Sequence, residues 1–305
     1  MTTFPAPKTG DSPGRFGRPV RAVLFLGVAV ALVASASQVY YAVRAAQIEY
    51  HVLHPRRGPV ALPSDAAALG LVAVHYPSTG SGEIAGWLVP STTGASVLLV
   101  HGSEADRRQM LPAARALAAV GIGSLLIDEP GAGESAGRVT VGDSERDAVL
   151  AGLLFLRATL GTDSLRVGAY GFSAGSLAVL ALAGTHVRAL AVAGCPTDLA
   201  TATAREYRGA GRVAQWSAAA MLSAFGVDVA KHRPLDAVTH LGDTPLLLIS
   251  GERDVVVIPS DTRTLAAAAA RSEWHVVPAM GHEEPATYSP AGAQLLVDFF
   301  QRTLR

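Results

Sequence analysis

Near the N-terminus the chain runs from residue 22 to residue 43 without a charge (AVLFLGVAVALVASASQVYYAV), behind Lys8, Arg15, Arg18 and Arg21 and ahead of Arg44. About 20 apolar residues rising 1.5 Å each span a hydrocarbon core of ~30 Å, so this stretch predicts one transmembrane helix. Tyr40 and Tyr41 fall where an interfacial aromatic belt would sit. Beyond residue 65 the pattern changes. Short apolar runs at residues 71–76, 83–89, 96–100, 123–127, 165–170, 189–193, 245–250 and 274–278 alternate with amphipathic stretches. Most of these runs are rich in Val, Ile and Leu without polar alternation, which suits strands buried on both faces.

Helical periodicity fills the gaps. Residues 109–120 end at Gly121, a C′ glycine; Ser144 with Asp147 three residues on resembles a capping box for a helix through Leu160. Ser289-Pro290 supplies an N-cap and a first-turn proline for a last helix to about Arg302. The first two strands, joined by a Pro/Ser/Thr/Gly loop, read as an antiparallel hairpin. The fold class is therefore α/β: a mostly parallel eight-stranded sheet with helices on both faces and a small helical cap, preceded by one N-terminal transmembrane helix. The expected divisions are a basic leader over 1–21, the anchor over 22–43, a Pro/Gly/Arg linker over 44–65 and the catalytic domain over 66–305. Residues 196–243 are too long for a plain connection and predict the cap, with helical patterns at 201–207 and 213–225.

The N-terminal segment has a second reading. Ala34-Ser35-Ala36 before Ser37 is a small-residue site of the kind at which secretory signals are cut. Apolar character continuing past Ala36 favours an uncleaved anchor. Four Lys/Arg precede the segment and three (Arg44, Arg56, Arg57) follow it closely, so positive-inside reasoning puts the N-terminus in the cytoplasm and the domain outside, or secreted after signal cleavage.

Composition narrows the function classes. Over 305 residues, Lys+Arg and Asp+Glu number 25 each, so the basic excess of a nucleic-acid binder is missing. Apolar residues make up 50% and charged ones 16%, which excludes wholesale disorder. The lone Cys195 supports neither an intrachain disulfide nor a cysteine-rich metal site, and reads as an inert core thiol.

Gly171-Phe172-Ser173-Ala174-Gly175 follows one apolar strand and opens a helical run. In that setting G-x-S-x-G is a nucleophile elbow, with serine on a strained turn and glycines where a Cβ would clash. Without that context, the pentapeptide reads as a tight turn with a capping serine. A serine hydroxyl needs a histidine base, and the histidine needs a carboxylate to fix its tautomer. Asp254, in Gly251-Glu252-Arg253-Asp254, and His282, after Gly281, both follow strands, in the order Ser, Asp, His. Asp128 and Asp198 are rival acids; Asp128 also suits side-chain-to-backbone bonding in a turn. His101-Gly102-Ser103 ends the third strand, so the backbone N–H groups of Ser103 and Ala174 are the candidate oxyanion hole, with His101 orienting the loop. Tyr207, Trp216, Met221 and Phe225 are candidates for an acyl pocket or for cap packing. Glu283 and Glu284 are candidates for attracting a cationic substrate group.

Together His101-Gly102, the Gly171–Gly175 motif, Gly251-x-x-Asp254 and Gly281-His282 resemble the α/β-hydrolase superfamily over roughly residues 71–304. Residues 126–135 (LIDEPGAGES) are similar to the turn after its fourth strand. Pro234-Leu235-Asp236 resembles the serine aminopeptidase-like and dienelactone-hydrolase-like branches, including membrane-anchored bacterial members. The resemblance implies Ser173 as nucleophile, His282 as general base and then acid, Asp254 as the orienting acid, and neither metal nor organic cofactor. Serine at 173 disfavours the dehalogenases and epoxide hydrolases of the superfamily, which attack with aspartate. The chain departs from the family at Ser103-Glu104-Ala105-Asp106-Arg107-Arg108, more charged than the usual loop. The expectation is a membrane-anchored enzyme cleaving a carboxylic ester or thioester of a small acyl substrate, with peptide bonds second. A non-catalytic binding module would predict a broken triad.

Overall fold

In the computed structural model, which describes residues 18–159 and 161–305, the apolar runs assemble into one eight-stranded sheet. Its strands are β1 (Val72–Ser78), β2 (Gly82–Val89), β3 (Ser96–Val100), β4 (Gly123–Ile127), β5 (Val167–Phe172), β6 (Ala189–Ala193), β7 (Leu246–Gly251) and β8 (Ser272–Val277). The spatial order is β1-β2-β4-β3-β5-β6-β7-β8. The β1–β2 hairpin is antiparallel and β2 runs antiparallel to β4; the remaining pairs are parallel. Chain order reverses at β3, which has β4 on one side and β5 on the other, and such a switch point opens a crevice at the carboxyl ends of the strands.

The described residues also form nine α-helices: α1 (Arg18–Leu53), α2 (Leu111–Ala118), α3 (Asp143–Ala158), α4 (Ala174–Leu180), α5 (Leu199–Glu206), α6 (Arg212–Ala224), α7 (Pro234–Thr239), α8 (Pro259–Ala268) and α9 (Pro290–Thr303). Side chains alternate across each strand, so each central strand feeds two cores. Val97 and Leu99 of β3 join Leu117 of α2 and Phe300 of α9 on one face. Leu98 and Val100 join Leu153 of α3 and Val179 of α4 on the other. That double coverage explains the uninterrupted apolar sequence of β3 through β7. The outermost strands differ. At the far edge, β8 is half-exposed where a buried run was expected, because it is the last strand of the sheet and pairs with β7 on one side alone among the described residues. Its Trp274 turns inward and donates from Nε1 to Ser250 Oγ at 3.1 Å.

Helix starts follow local chemistry. Ser289 Oγ accepts from Gly292 N at 3.0 Å and Pro290 occupies the first turn of α9, as the sequence predicts. The start of α3 lies one residue before the expected Ser144. Glu145, longer than Asp147, reaches back to accept from Gly142 N at 2.7 Å, and Thr140 Oγ1 accepts from Ser144 N at 3.0 Å. The expected end of this helix, Leu160, lies outside the described residues, as does residues 1–17 of the expected leader.

The N-terminal helix needs a larger correction. It does not give way to a linker at residue 44 but continues to Leu53. Ala45, Ile48 and Leu53 recur at helical spacing and find partners on the cap, so the residues past Arg44 bury an apolar stripe instead of forming a loop. The stretch from α5 to α7 forms the cap between β6 and β7. By length and composition α1 is sufficient to cross a membrane.

Candidate active site

Strand β5 ends at Phe172 and α4 begins at Ala174, leaving Ser173 to turn the chain by itself. Its backbone sits at φ +51°, ψ −117°, a conformation that costs an L-residue on the order of 1–3 kcal/mol. The flanking glycines are sterically required. A Cβ on Gly171 would overlap the carbonyl of Gly175, and one on Gly175 would overlap those of Val100 and His101. Strand β3, β5 and the start of α4 can therefore approach closely, and Ser173 projects at the crest of the turn.

His282 lies in the loop after β8, its Nε2 2.9 Å from Ser173 Oγ. Its Nδ1 is 2.7 Å from Oδ2 of Asp254, in the loop after β7. The Asp254 carboxylate is buried, and its Oδ1 accepts from the backbone of Val256 at 3.0 Å and Val257 at 2.7 Å. These bonds fix its orientation. The ring of Phe172 packs beside the imidazole with centroids 5.6 Å apart. Three loops from three strand ends thus meet in one hydrogen-bonded line that can carry a proton from hydroxyl to imidazole.

Ser103 and Ala174 both line the cavity at Ser173. As the first residue of α4, Ala174 has an N–H with no acceptor inside the helix. The loop carrying Ser103 is tied down: Gly102 N donates to Gln109 Oε1 at 2.8 Å, and Glu129 N donates to His101 Nε2 at 3.0 Å. Because Nε2 accepts, the His101 proton sits on Nδ1 and points at the Gly102 carbonyl, 2.7 Å away. Burial lowers the proton affinity of this imidazole, which favours the neutral ring that the bonding pattern requires.

The rival acids are engaged elsewhere. Asp198 caps α5, accepting from Thr201 N at 2.7 Å. Asp128 accepts from the backbone of Arg107 at 2.8 Å and of Glu134 at 2.9 Å, and pairs with the Arg107 guanidinium at 2.5 Å. Arg107 also binds Glu134 and stacks over Trp87, 4.7 Å from the ring centroid. This buried arginine was not singled out in the sequence; its only signal was the unusual charge of the loop after Ser103. Cys195 is buried in the core, and desolvation pushes its thiol pKa up to about 12.

The cavity over Ser173 and His282 has a volume of about 280 Å³. Its apolar wall includes Leu177, Leu199, Leu222 and Val257, and its carboxylates are Glu49, Glu104, Glu206 and Glu283. Burial raises the Glu206 carboxyl above its usual range, although His282 pulls the other way. The four aromatic and methionine candidates do not form this wall. Tyr207 packs on Ala45, Phe225 on Tyr50 and His54, Met221 faces a separate groove and Trp216 is exposed. Glu283 lines the cavity; Glu284 does not. Ile48, Glu49 and Val52 of α1 do line it, a role hidden because the helix was expected to stop ten residues short. Among the described residues no group of three or more His, Cys, Asp or Glu side chains is placed to hold a metal ion.

The sequence matches the prolyl oligopeptidase family over residues 114–305, a span that includes Ser173, Asp254 and His282. The chain belongs to this family. Two curated relatives from Mycobacterium tuberculosis, both uncharacterized, are 29% identical over 239 residues, covering 77% of this chain and 80% of theirs. In structure the chain is similar to an esterase of Pyrococcus furiosus (TM-score 0.69, 21% identity, 83% of this chain and 100% of that one). It is also similar to a thermophilic esterase of Thermogutta terrifontis (TM-score 0.59, 18% identity, 77% and 100%). A dienelactone hydrolase of Anabaena variabilis aligns with TM-score 0.56 at 23% identity, over 77% and 98%. These likenesses establish the α/β-hydrolase fold, and with the family match they put this prolyl oligopeptidase family member among the serine hydrolases.

Proposed function

We propose that the protein hydrolyses a carboxylic ester or thioester of a small acyl substrate through an acyl-enzyme on Ser173. The observation that carries this reading is the 2.9 Å contact between Ser173 Oγ and His282 Nε2, with Asp254 2.7 Å behind the imidazole, on an elbow strained at φ +51°. Ser173 Oγ attacks the carbonyl carbon while His282 Nε2 takes its proton. The oxyanion receives hydrogen bonds from the N–H groups of Ser103 and Ala174. Collapse expels the alcohol or thiol, which takes the proton from His282. Water then gives a proton to His282 as its oxygen attacks the acyl carbon; collapse breaks the acyl–Oγ bond, Ser173 Oγ takes the proton back from His282, and the acid leaves. The apolar wall and modest volume of the cavity support a small acyl group.

A second reading has its own support. The cavity carboxylates and the family membership favour a peptidase that accepts a substrate ammonium group. On either reading α1 anchors the enzyme in a bilayer, with the N-terminus cytoplasmic and the domain outside. Fluorophosphonate labelling of the wild type, Ser173→Ala and His282→Ala tests the mechanism: label is expected on the wild type alone. Undiminished labelling of Ser173→Ala sinks it. Turnover of p-nitrophenyl esters against aminoacyl p-nitroanilides separates the two readings.

A further inference from the structure

Helix α1 is uninterrupted from Arg18 to Leu53, yet its two halves have different surroundings. From Pro19 to Ala36 every residue is exposed. Past Gln38 the helix lies along α6. Ser217 Oγ donates to the Ala42 carbonyl at 2.8 Å. Ala45 is buried among Tyr207, Ala214 and Ala218, and Leu53 packs on Leu222 and Val227. Between those contacts Ile48, Glu49 and Val52 form part of the cavity that holds Ser173 and His282. One rigid element is therefore both the apolar span and a wall of the catalytic cavity.

Helix geometry gives the height of that wall. The uncharged stretch from Ala22 to Tyr41 rises about 30 Å, the thickness of a hydrocarbon core. Ile48 then lies about 10 Å further along the axis, just beyond the headgroup layer. The cap carries matching features at the lower level. Val213 and Trp216, near the start of α6, are 42% and 64% exposed, and the Arg212 guanidinium stacks over Trp216 at 5.7 Å. Tyr40 and Tyr41 are exposed on α1, next in the chain to Ala42, whose carbonyl Ser217 of α6 contacts. Tyrosine, tryptophan and arginine at one level are the side chains that settle at a membrane interface.

We propose that the substrate is an amphiphilic acyl ester resident in the leaflet that α1 crosses, taken from the membrane surface into a cavity that α1 itself walls. This rests on the serine-esterase reading and names its substrate class. Each CH₂ drawn out of the bilayer loses its apolar surroundings. Ile48, Val52, Leu199 and Leu222 replace part of that apolar environment, and a site held just beyond the headgroup layer needs only part of the chain withdrawn. The cavity lining carries the carboxyl groups of Glu49, Glu104, Glu206 and Glu283 and, among the described residues, no Lys or Arg, so it offers no counter-charge to an anionic headgroup, and the polar end of the ester is uncharged or cationic.

The test uses the full chain in phosphatidylcholine vesicles with two probes, water-soluble p-nitrophenyl butyrate and vesicle-borne monooleoylglycerol. A flexible segment of about ten Gly/Ser residues inserted between Tyr40 and Tyr41 keeps the cavity wall but frees the domain from its fixed height. The variant is expected to hold its butyrate rate within about twofold and lose at least about tenfold on monooleoylglycerol. Trp216→Glu, on the exposed cap face, is expected to give the same split without touching the helix. Equal rates on monooleoylglycerol for wild type and both variants overturn the proposal, as does a wild type that cleaves butyrate and leaves the vesicle ester intact. Failure of the esterase reading looks different: neither ester is cleaved and fluorophosphonate does not label Ser173.

Discussion

His282 Nδ1 stands 2.7 Å from Oδ2 of Asp254, whose other oxygen is held by the backbone of Val256 and Val257. The carboxylate is thus an acceptor fixed on both sides. Asp254→Asn preserves this shape but offers an amide N–H to Nδ1, which drives the imidazole proton to Nε2 and removes the base from Ser173. We expect kcat on p-nitrophenyl butyrate to fall by about 10³–10⁴-fold, with the melting temperature nearly unchanged. A loss below tenfold would mean that Asp254 does not orient the proposed base.

Gly175 touches the carbonyls of Val100 and His101, backbone that cannot move without shifting β3. Gly175→Ala must separate α4 from that strand. A destabilisation of about 1–3 kcal/mol is expected from denaturant unfolding, accompanied by loss of fluorophosphonate reactivity as Ser173 is displaced. The exposed Gly209, which like Gly175 has no positive φ but has no neighbour within 4 Å, is the control, since its Ala variant meets neither a clash nor left-handed strain.

The elbow was legible because its chemistry is local: five consecutive residues carry both the strain and the small side chains that permit it. The central strands were legible for a similar reason, since burial on two faces leaves runs such as Ser96–Val100 with no polar alternation. What escaped the sequence depends on distant partners. The extension of α1 past Arg44 is decided by Ala214, Ala218 and Leu222, far along the chain, and with it the presence of Ile48 and Val52 in the cavity. Arg107 was obscured in the same way, because its partners Asp128 and Glu134 lie on a different loop and Trp87 on a different strand.

Glu129 gives a pH-dependent prediction. Its carboxyl is buried behind the loop carrying His101 and Ser103, and desolvation, with Glu145 adding repulsion, raises it well above the ordinary value of 4.5. A group held higher in the folded chain favours folding below its unfolded pKa, and that contribution is lost as the pH rises through the folded value. Wild-type stability therefore declines from about pH 4.5 upward on account of this residue. Glu129→Gln cannot ionise. The melting-temperature difference between Glu129→Gln and the wild type should grow from pH 5 to pH 8 in favour of the variant; a difference independent of pH would refute the assignment.

Arg107 and Asp128 form a pair that is 2% and 0% exposed, so neither charge is rescued by water if the other is removed. Asp128 would keep its two backbone donors in Arg107→Met, but its carboxylate would have no counter-charge in the core. A loss of about 3–5 kcal/mol is expected for breaking such a pair from one side. In Arg107→Met/Asp128→Asn no buried charge remains, and the amide oxygen can still accept a backbone bond. The double variant should therefore recover at least half of the single variant's loss in urea unfolding. Additive losses would mean that Arg107 stabilises the loop mainly through Trp87 and Glu134, in which case Trp87→Leu in the Arg107→Met background would cost little more. The pair lies between the loop carrying Ser103 and the turn carrying Glu129. A coupling free energy of opposite sign to the single losses would identify the ion pair as the link that holds those two segments together.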